Sequence, residues 1–128
     1  AGIKLFFKHD PDLMSEADVL VNIGNGNPYQ LPSKVIEYAC LGKPILHLST
    51  GDKDCASEFL RDYEVSLTLE TKGSEELPRQ ARRVSEFINQ SAPMQGGNLS
   101  RLRSRFKPET VANQYLDCIQ EARGMAQI

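Results

Sequence analysis

The chain has 128 residues, of which 40% are hydrophobic and 25% charged, with a formal net charge of −2. That size supports one domain with a single core, and a nearly neutral balance leaves no electrostatic footprint for nucleic acid. Three widely spaced cysteines, Cys40, Cys55 and Cys118, form no CxxC pair and read as reduced thiols rather than a disulfide or metal framework.

The longest apolar run falls far short of the roughly 20 residues that a bilayer demands. No signal peptide opens the chain. A soluble, cytoplasmic protein without a transmembrane segment is therefore expected.

Ile3-Lys4-Leu5-Phe6-Phe7 reads as a short β-strand. Asp10-Pro11 then supplies an N-cap and a proline at the first helical position, which predicts a short helix through about Ala17. Val19-Leu20-Val21-Asn22-Ile23 is nearly continuous in apolar character, as in a strand buried on both faces. Gly24-Asn25-Gly26-Asn27 follows as a loop, and a helix opens on Pro32-Ser33-Lys34. That helix buries Val35, Ile36, Ala39 and Cys40 and stops at Gly42-Lys43-Pro44.

A third strand spans about 45–49 and runs into Thr50-Gly51-Asp52. A helix over roughly 53–62 turns Ala56, Phe59 and Leu60 inward. Val65 to Leu69 alternates as a half-buried strand does. Leu77, Ala81, Val84, Phe87 and Ile88 mark one face of a further helix, and a Pro/Gly/Asn break covers Ser91 to Asn98. A short basic segment, Leu99 to Phe106, precedes a last helix opened by Pro108. Its apolar side holds Val111, Tyr115, Cys118, Ile119, Ala122 and Ala126.

Strand–helix alternation with short links predicts an α/β fold: a Rossmann-like parallel sheet with right-handed crossovers and flanking helices in three α/β/α layers. About four strands are few for a doubly wound sheet. The chain also starts at Ala1-Gly2, directly before a strand. Residues 1–128 therefore read as a single domain, the later half of a Rossmann-like domain from a longer enzyme.

The stretch from Gln30 to Tyr38 carries the chemistry. Unpaired amides and the helix dipole at a helix start stabilise an anion. The Ser33 hydroxyl can donate to phosphate oxygens and Lys34 adds a mobile charge. Glu37, one turn on, is spaced to accept the hydroxyls of a ribose. Glycines at a strand's carboxyl end allow close backbone approach. The same residues also fit an ordinary helix start with a solvated face. The loop departs from GxGxxG, since position 29 is tyrosine.

Ala17-Asp18-Val19-Leu20-Val21, Leu31 to Tyr38, and Gly42-Lys43-Pro44-Ile45-Leu46 together resemble retaining glycosyltransferases of the two-Rossmann-domain (GT-B) type. The likeness is to the C-terminal, donor-binding domain of the group related to sucrose and polysaccharide glycosyltransferases, and its core spans residues 17–48. It implies a domain that binds a nucleotide diphosphate sugar for transfer to a glycan, a lipid carrier or a small molecule, as in polysaccharide biosynthesis.

By this resemblance Gly24, Asn25, Gly26, Asn27, Tyr29, Gln30, Pro32, Ser33 and Lys34 would face the sugar and diphosphate, and Glu37 would match the ribose-binding glutamate. Many members carry another glutamate eight residues earlier, where this chain has Tyr29. The resemblance implies no cofactor and no metal, and assigns no catalytic residue within this chain. It implies an acceptor domain outside the chain, so transfer by this chain alone is not expected. Separately, a Rossmann half of roughly four strands leaves apolar sheet or helix surface exposed, which predicts a homo-oligomer. Two other readings stand beside it: a non-catalytic Rossmann-like assembly module, and a nucleotide-sugar epimerase of the same fold.

His9 and His47 read as lone histidines without Cys, Asp or Glu at ligand spacing. Arg79, Arg82, Arg83, Arg101, Arg103, Arg105 and Lys107 read as solvated helix faces. The alternative for them is docking on the missing domain or on anionic lipid at a membrane periphery.

Overall fold

Each strand of the sheet is reached from the last through a helix. Helix α1 (Pro11–Glu16) leads into β1 (Leu20–Ile23), followed by α2 (Ser33–Cys40), β2 (Ile45–Ser49), α3 (Cys55–Arg61), β3 (Ser66–Glu70) and α4 (Leu77–Gln90). The strands lie in the order β1-β2-β3 and both pairings are parallel, with Asn22 opposite His47 and His47 opposite Thr68. This is an α/β fold. The structure is a computed structural model that describes residues 2–8, 10–51 and 53–126, with the side chain of Ala126 excluded. The expectations for His9, Asp52 and the Ala126 side chain lie outside the described residues.

Local chemistry explains the element boundaries. Asp10 caps α1 by accepting from the Asp12 amide at 3.0 Å, with Pro11 at the first helical position. Helix α2 ends at Leu41, and Gly42 follows with φ 74°, the left-handed conformation that glycine adopts without a Cβ penalty. Asp54 caps α3 by accepting from the Ser57 amide.

Two compact units make up the chain, residues 1–94 and 95–128. In the first, α2 packs on β1, α3 on β2 and β3, and α4 on β3. Its core is formed by Ile45, Val35, Ala39, Leu60 and Ala56, all 2% exposed or less, with Leu20, Met14 and Leu69 around them. Burying a side chain the size of Ile45, Val35 or Leu60 contributes about 1.5–3 kcal/mol. The second unit holds α5 (Gly97–Arg105) and α6 (Pro108–Ala126). Tyr115, Leu116, Ile119 and Met125 of α6 are exposed.

Several expectations are corrected. Ile3 to Phe7 forms no strand, and three strands rather than four are present among the described residues. A strand needs a neighbour for its amides and carbonyls. Here Ile3, Leu5, Phe6 and Phe7 are all exposed, Phe7 at 95%. Strand β1 is buried on one face only: Leu20 and Asn22 are covered while Val21 and Ile23 are exposed. Helix α2 packs on β1, and the covered face holds Leu20 and Asn22 while the other face stays open; β1 also lies at the edge of the sheet. Pro32 is the N-cap of α2 rather than its first helical residue, and Ile36 and Cys40 are half-buried. In α4, Leu77 and Ala81 are exposed and only Val84, Phe87 and Ile88 of the anticipated face are partly covered.

Candidate functional site

The carboxyl ends of parallel strands point to one edge of the sheet, and the loops leaving them define the concave side of an open α/β fold. Here β1 runs into the Gly24–Pro28 loop and β2 into the turn at Thr50 and Gly51. The first loop is built by its own asparagines. The Asn25 side chain accepts from the Asn27 amide at 3.0 Å, and the Asn27 side chain accepts from the Tyr29 amide at 2.9 Å. Gly26 takes φ 69°. Small polar side chains that bond back to nearby amides are the usual means of holding such a turn.

The loop is anchored on both flanks. The Gly24 amide donates to the Leu48 carbonyl at 2.7 Å. At the other end the first residue of α3 reaches it twice: the Cys55 amide donates to the Asn27 carbonyl at 3.4 Å, and the Cys55 thiol to the Pro28 carbonyl at 2.8 Å. Gly24 through Asn27 are thus brought to the start of α3.

The remaining expected donor residues sit on or before α2. Tyr29 is 94% exposed, Gln30 is exposed and Pro32 is half-buried. Ser33 and Lys34 open the helix on its exposed side, and Glu37 is exposed one turn on. No side chain caps this helix, so its first amides keep no side-chain acceptor.

Beneath the loop lies a polar cluster that the sequence reading missed. Asn22 of β1, His47 and Ser49 of β2, and Asp54 at the α3 cap are all buried, with His47 at 0% and Asp54 at 2% exposure. Asn22 Nδ2 lies 2.9 Å from His47 Nδ1, and His47 Nε2 lies 3.3 Å from Asp54 Oδ1. The Ser49 hydroxyl donates to Asp54 Oδ2 at 3.0 Å. Burial alone pushes the Asp54 carboxyl up. Donation from Ser57 and Ser49 and the nearby His47 outweigh it, and the group is held below the ordinary carboxylate range.

His47 is therefore not a lone histidine: an aspartate seven residues on returns to it because the β2–α3 turn folds back over the strand end. The signal was present in the sequence. Asn22, His47 and Ser49 are the polar residues of otherwise apolar strands, and residues 47 and 49 share a face by the two-residue strand period.

A second, shallow polar cleft lies by the carboxyl end of β3, lined by Thr68, Glu70, Gly73, Ser74, Glu75 and Arg83. Arg83, 41% exposed, donates to Glu75 at 2.6 Å, and Arg79, 73% exposed, approaches the same carboxylate at 3.7 Å, so both lie on a solvated helix face with Glu75 as their partner. Among the described residues no group of three or more His, Cys, Asp or Glu is arranged to hold a metal ion, and no helix is long and apolar enough to cross a membrane. No protein-family model, curated protein or solved structure matches the chain.

Proposed function

We propose that this chain is the nucleotide-sugar-binding part of a glycosyltransferase with two Rossmann-like domains, a partial GT-B C-terminal domain in three α/β/α layers. The observation that carries the reading is the uncapped start of α2. Ser33 and Lys34 are exposed in its first turn and Glu37 one turn on, and the helix follows a Gly/Asn loop at the carboxyl end of a parallel strand. In this reading the first-turn amides, the Ser33 hydroxyl and the Lys34 ammonium bind the diphosphate. Glu37 accepts from the ribose hydroxyls.

Chemistry would take place against an acceptor held by another domain, with sugar passing from the diphosphate to a glycan, lipid carrier or small molecule. The helix dipole and Lys34 stabilise the charge that develops on the leaving diphosphate. An epimerase that cleaves the same bond would use the same donor contacts.

Binding to the native state raises the thermal midpoint, so uridine diphosphate serves as the first probe. A midpoint that climbs with ligand concentration in the wild type, and less in Lys34→Ala, supports the reading. A midpoint that uridine, guanosine and adenosine diphosphates all leave unmoved contradicts it.

A second reading has its own observation. Val21 and Ile23 are exposed on edge strand β1, and Ile3, Leu5, Phe6 and Phe7 are exposed before it. Exposed apolar surface beside an open sheet edge is what an assembly module presents to another copy.

A further inference from the structure

The Gly24 backbone lies directly on the buried cluster. A Cβ at position 24 would stand 3.2 Å from His47 Cε1, 3.3 Å from Asp54 Oδ2 and 3.1 Å from the Leu48 carbonyl oxygen. The same aspartate caps α3, whose first residue holds Asn27 and Pro28. One buried ring therefore touches the strand before the loop, through Asn22, and the helix cap beyond it, through Asp54. The loop's own contacts with Leu48 and Cys55 flank that ring.

We infer that His47 is a positioning residue: its imidazole links Asn22 to Asp54 and fixes the Gly24–Pro28 loop on the start of α3. With Asn22 Nδ2 donating, Nδ1 accepts and the ring proton resides on Nε2, directed at the Asp54 carboxylate. Both ring nitrogens are then engaged, and the His47 side chain itself is fully buried. Water cannot replace either contact, so losing one leaves a buried polar group unpaired and releases the loop anchors together. A histidine suits this position because its two nitrogens lie on opposite sides of a flat ring, so one side chain spans from strand to cap. For nucleotide-sugar binding, this inference rests on the donor-site reading above. For the loop itself it does not.

The test is native-state hydrogen exchange of the Gly24 and Cys55 amides, the two backbone donors that pin the loop. In His47→Phe, which fills the volume but makes neither bond, both amides should exchange about tenfold faster or more, while the Ile45 and Leu20 amides within the sheet change far less. Should His47→Phe fail to fold, Asn22→Leu removes the Nδ1 contact alone and should give the same pattern. His47→Gln, which restores a donor toward Asp54, should recover most of the protection. In the wild type, nitrogen shifts of the ring should report a proton on Nε2 and none on Nδ1.

Gly24 and Cys55 amides that exchange at wild-type rates in a folded His47→Phe or Asn22→Leu overturn the inference, as does a ring protonated at Nδ1. Neither result touches the donor assignment, which uridine diphosphate titration of the same variants reads separately. Faster loop exchange with unchanged nucleotide affinity keeps His47 as the positioning residue and removes the loop from the donor site.

Discussion

Asp54 serves two elements through one carboxylate: it accepts from the Ser57 amide to close the first turn of α3, and its Oδ1 lies 3.3 Å from His47 Nε2 on the neighbouring strand. A helix cap and a strand side chain are thereby joined beneath the loop that follows β1. Because the carboxylate is 2% exposed, water does not compete for either bond.

Removing that carboxylate should be costly. Asp54→Ala loses the cap and leaves His47 and Ser49 without their shared acceptor, a destabilisation of about 2–4 kcal/mol in urea unfolding. Asp54→Asn keeps a capping oxygen and should cost less. The pH dependence follows from the sign of the shift. The Asp54 carboxyl is lowered in the folded state, so its contribution is complete above the ordinary carboxyl value of about 4 and is lost as pH falls through the lower folded value. Between pH values of about 6 and 2, Asp54→Asn should lose less stability than the wild type does. Parallel acid limbs would show that Asp54 is not held down.

Tyr63 offers the opposite test at alkaline pH. Burial pushes its phenol up to about 12, with Cys40 and Glu64 adding to the effect, and the hydroxyl donates to the Lys43 carbonyl at 2.8 Å. A raised folded value means the contribution is complete below about 10 and is lost as pH rises from there through the folded value. Tyr63→Phe should cost about 1 kcal/mol at neutral pH and should flatten the alkaline limb of the stability curve. An alkaline limb identical in the two proteins would contradict the assignment.

Gly24 and Gly51 should respond differently to the same methyl group. At Gly24 the added Cβ meets Leu48, His47 and Asp54, so Gly24→Ala should cost about 1–3 kcal/mol through overpacking. At Gly51 nothing lies within 4 Å but φ is +91°, so the cost there is backbone strain alone, about 1–2 kcal/mol. Only Gly24→Ala should also speed exchange of the Cys55 amide.

Assembly is checked by light scattering. Exposed Phe6, Phe7, Val21 and Ile23 predict a homodimer or larger species at micromolar concentration, and Phe7→Asp with Ile23→Asp should shift it toward monomer. A wild-type monomer with a cooperative melt would remove the assembly reading.

Much of the sheet was legible because local signals agree there. Pro44 after Gly42 stops α2 and starts β2, and residues 45–49 carry the apolar run that the observed strand occupies. Asp10-Pro11 starts α1 as their chemistry requires. Ile3 to Phe7 misled because strand propensity describes a fit to a neighbour, and the described residues supply none. Helix α2 starts at Ser33, one position after the Pro32 that the pattern puts first, because Pro32 takes the extended conformation of an N-cap. Histidine 47 was misread because its partners are set by tertiary return: Asn22 is opposite it across the parallel ladder, and Asp54 comes back through a turn. Sequence spacing alone encodes neither.

The donor site is tested most directly by calorimetric titration with uridine diphosphate and its sugar conjugates at about 0.05 and 0.5 M salt, in wild type, Lys34→Ala and Glu37→Ala. Saturable binding is expected. Glu37→Ala should weaken it by about 1.5–3 kcal/mol at both salts, because the ribose it holds is uncharged. Lys34→Ala should weaken it chiefly at low salt, because its contact with the diphosphate is a screened point charge. If both variants stay folded and neither changes affinity by as much as about twofold, the start of α2 is only a helix start and the donor assignment is wrong.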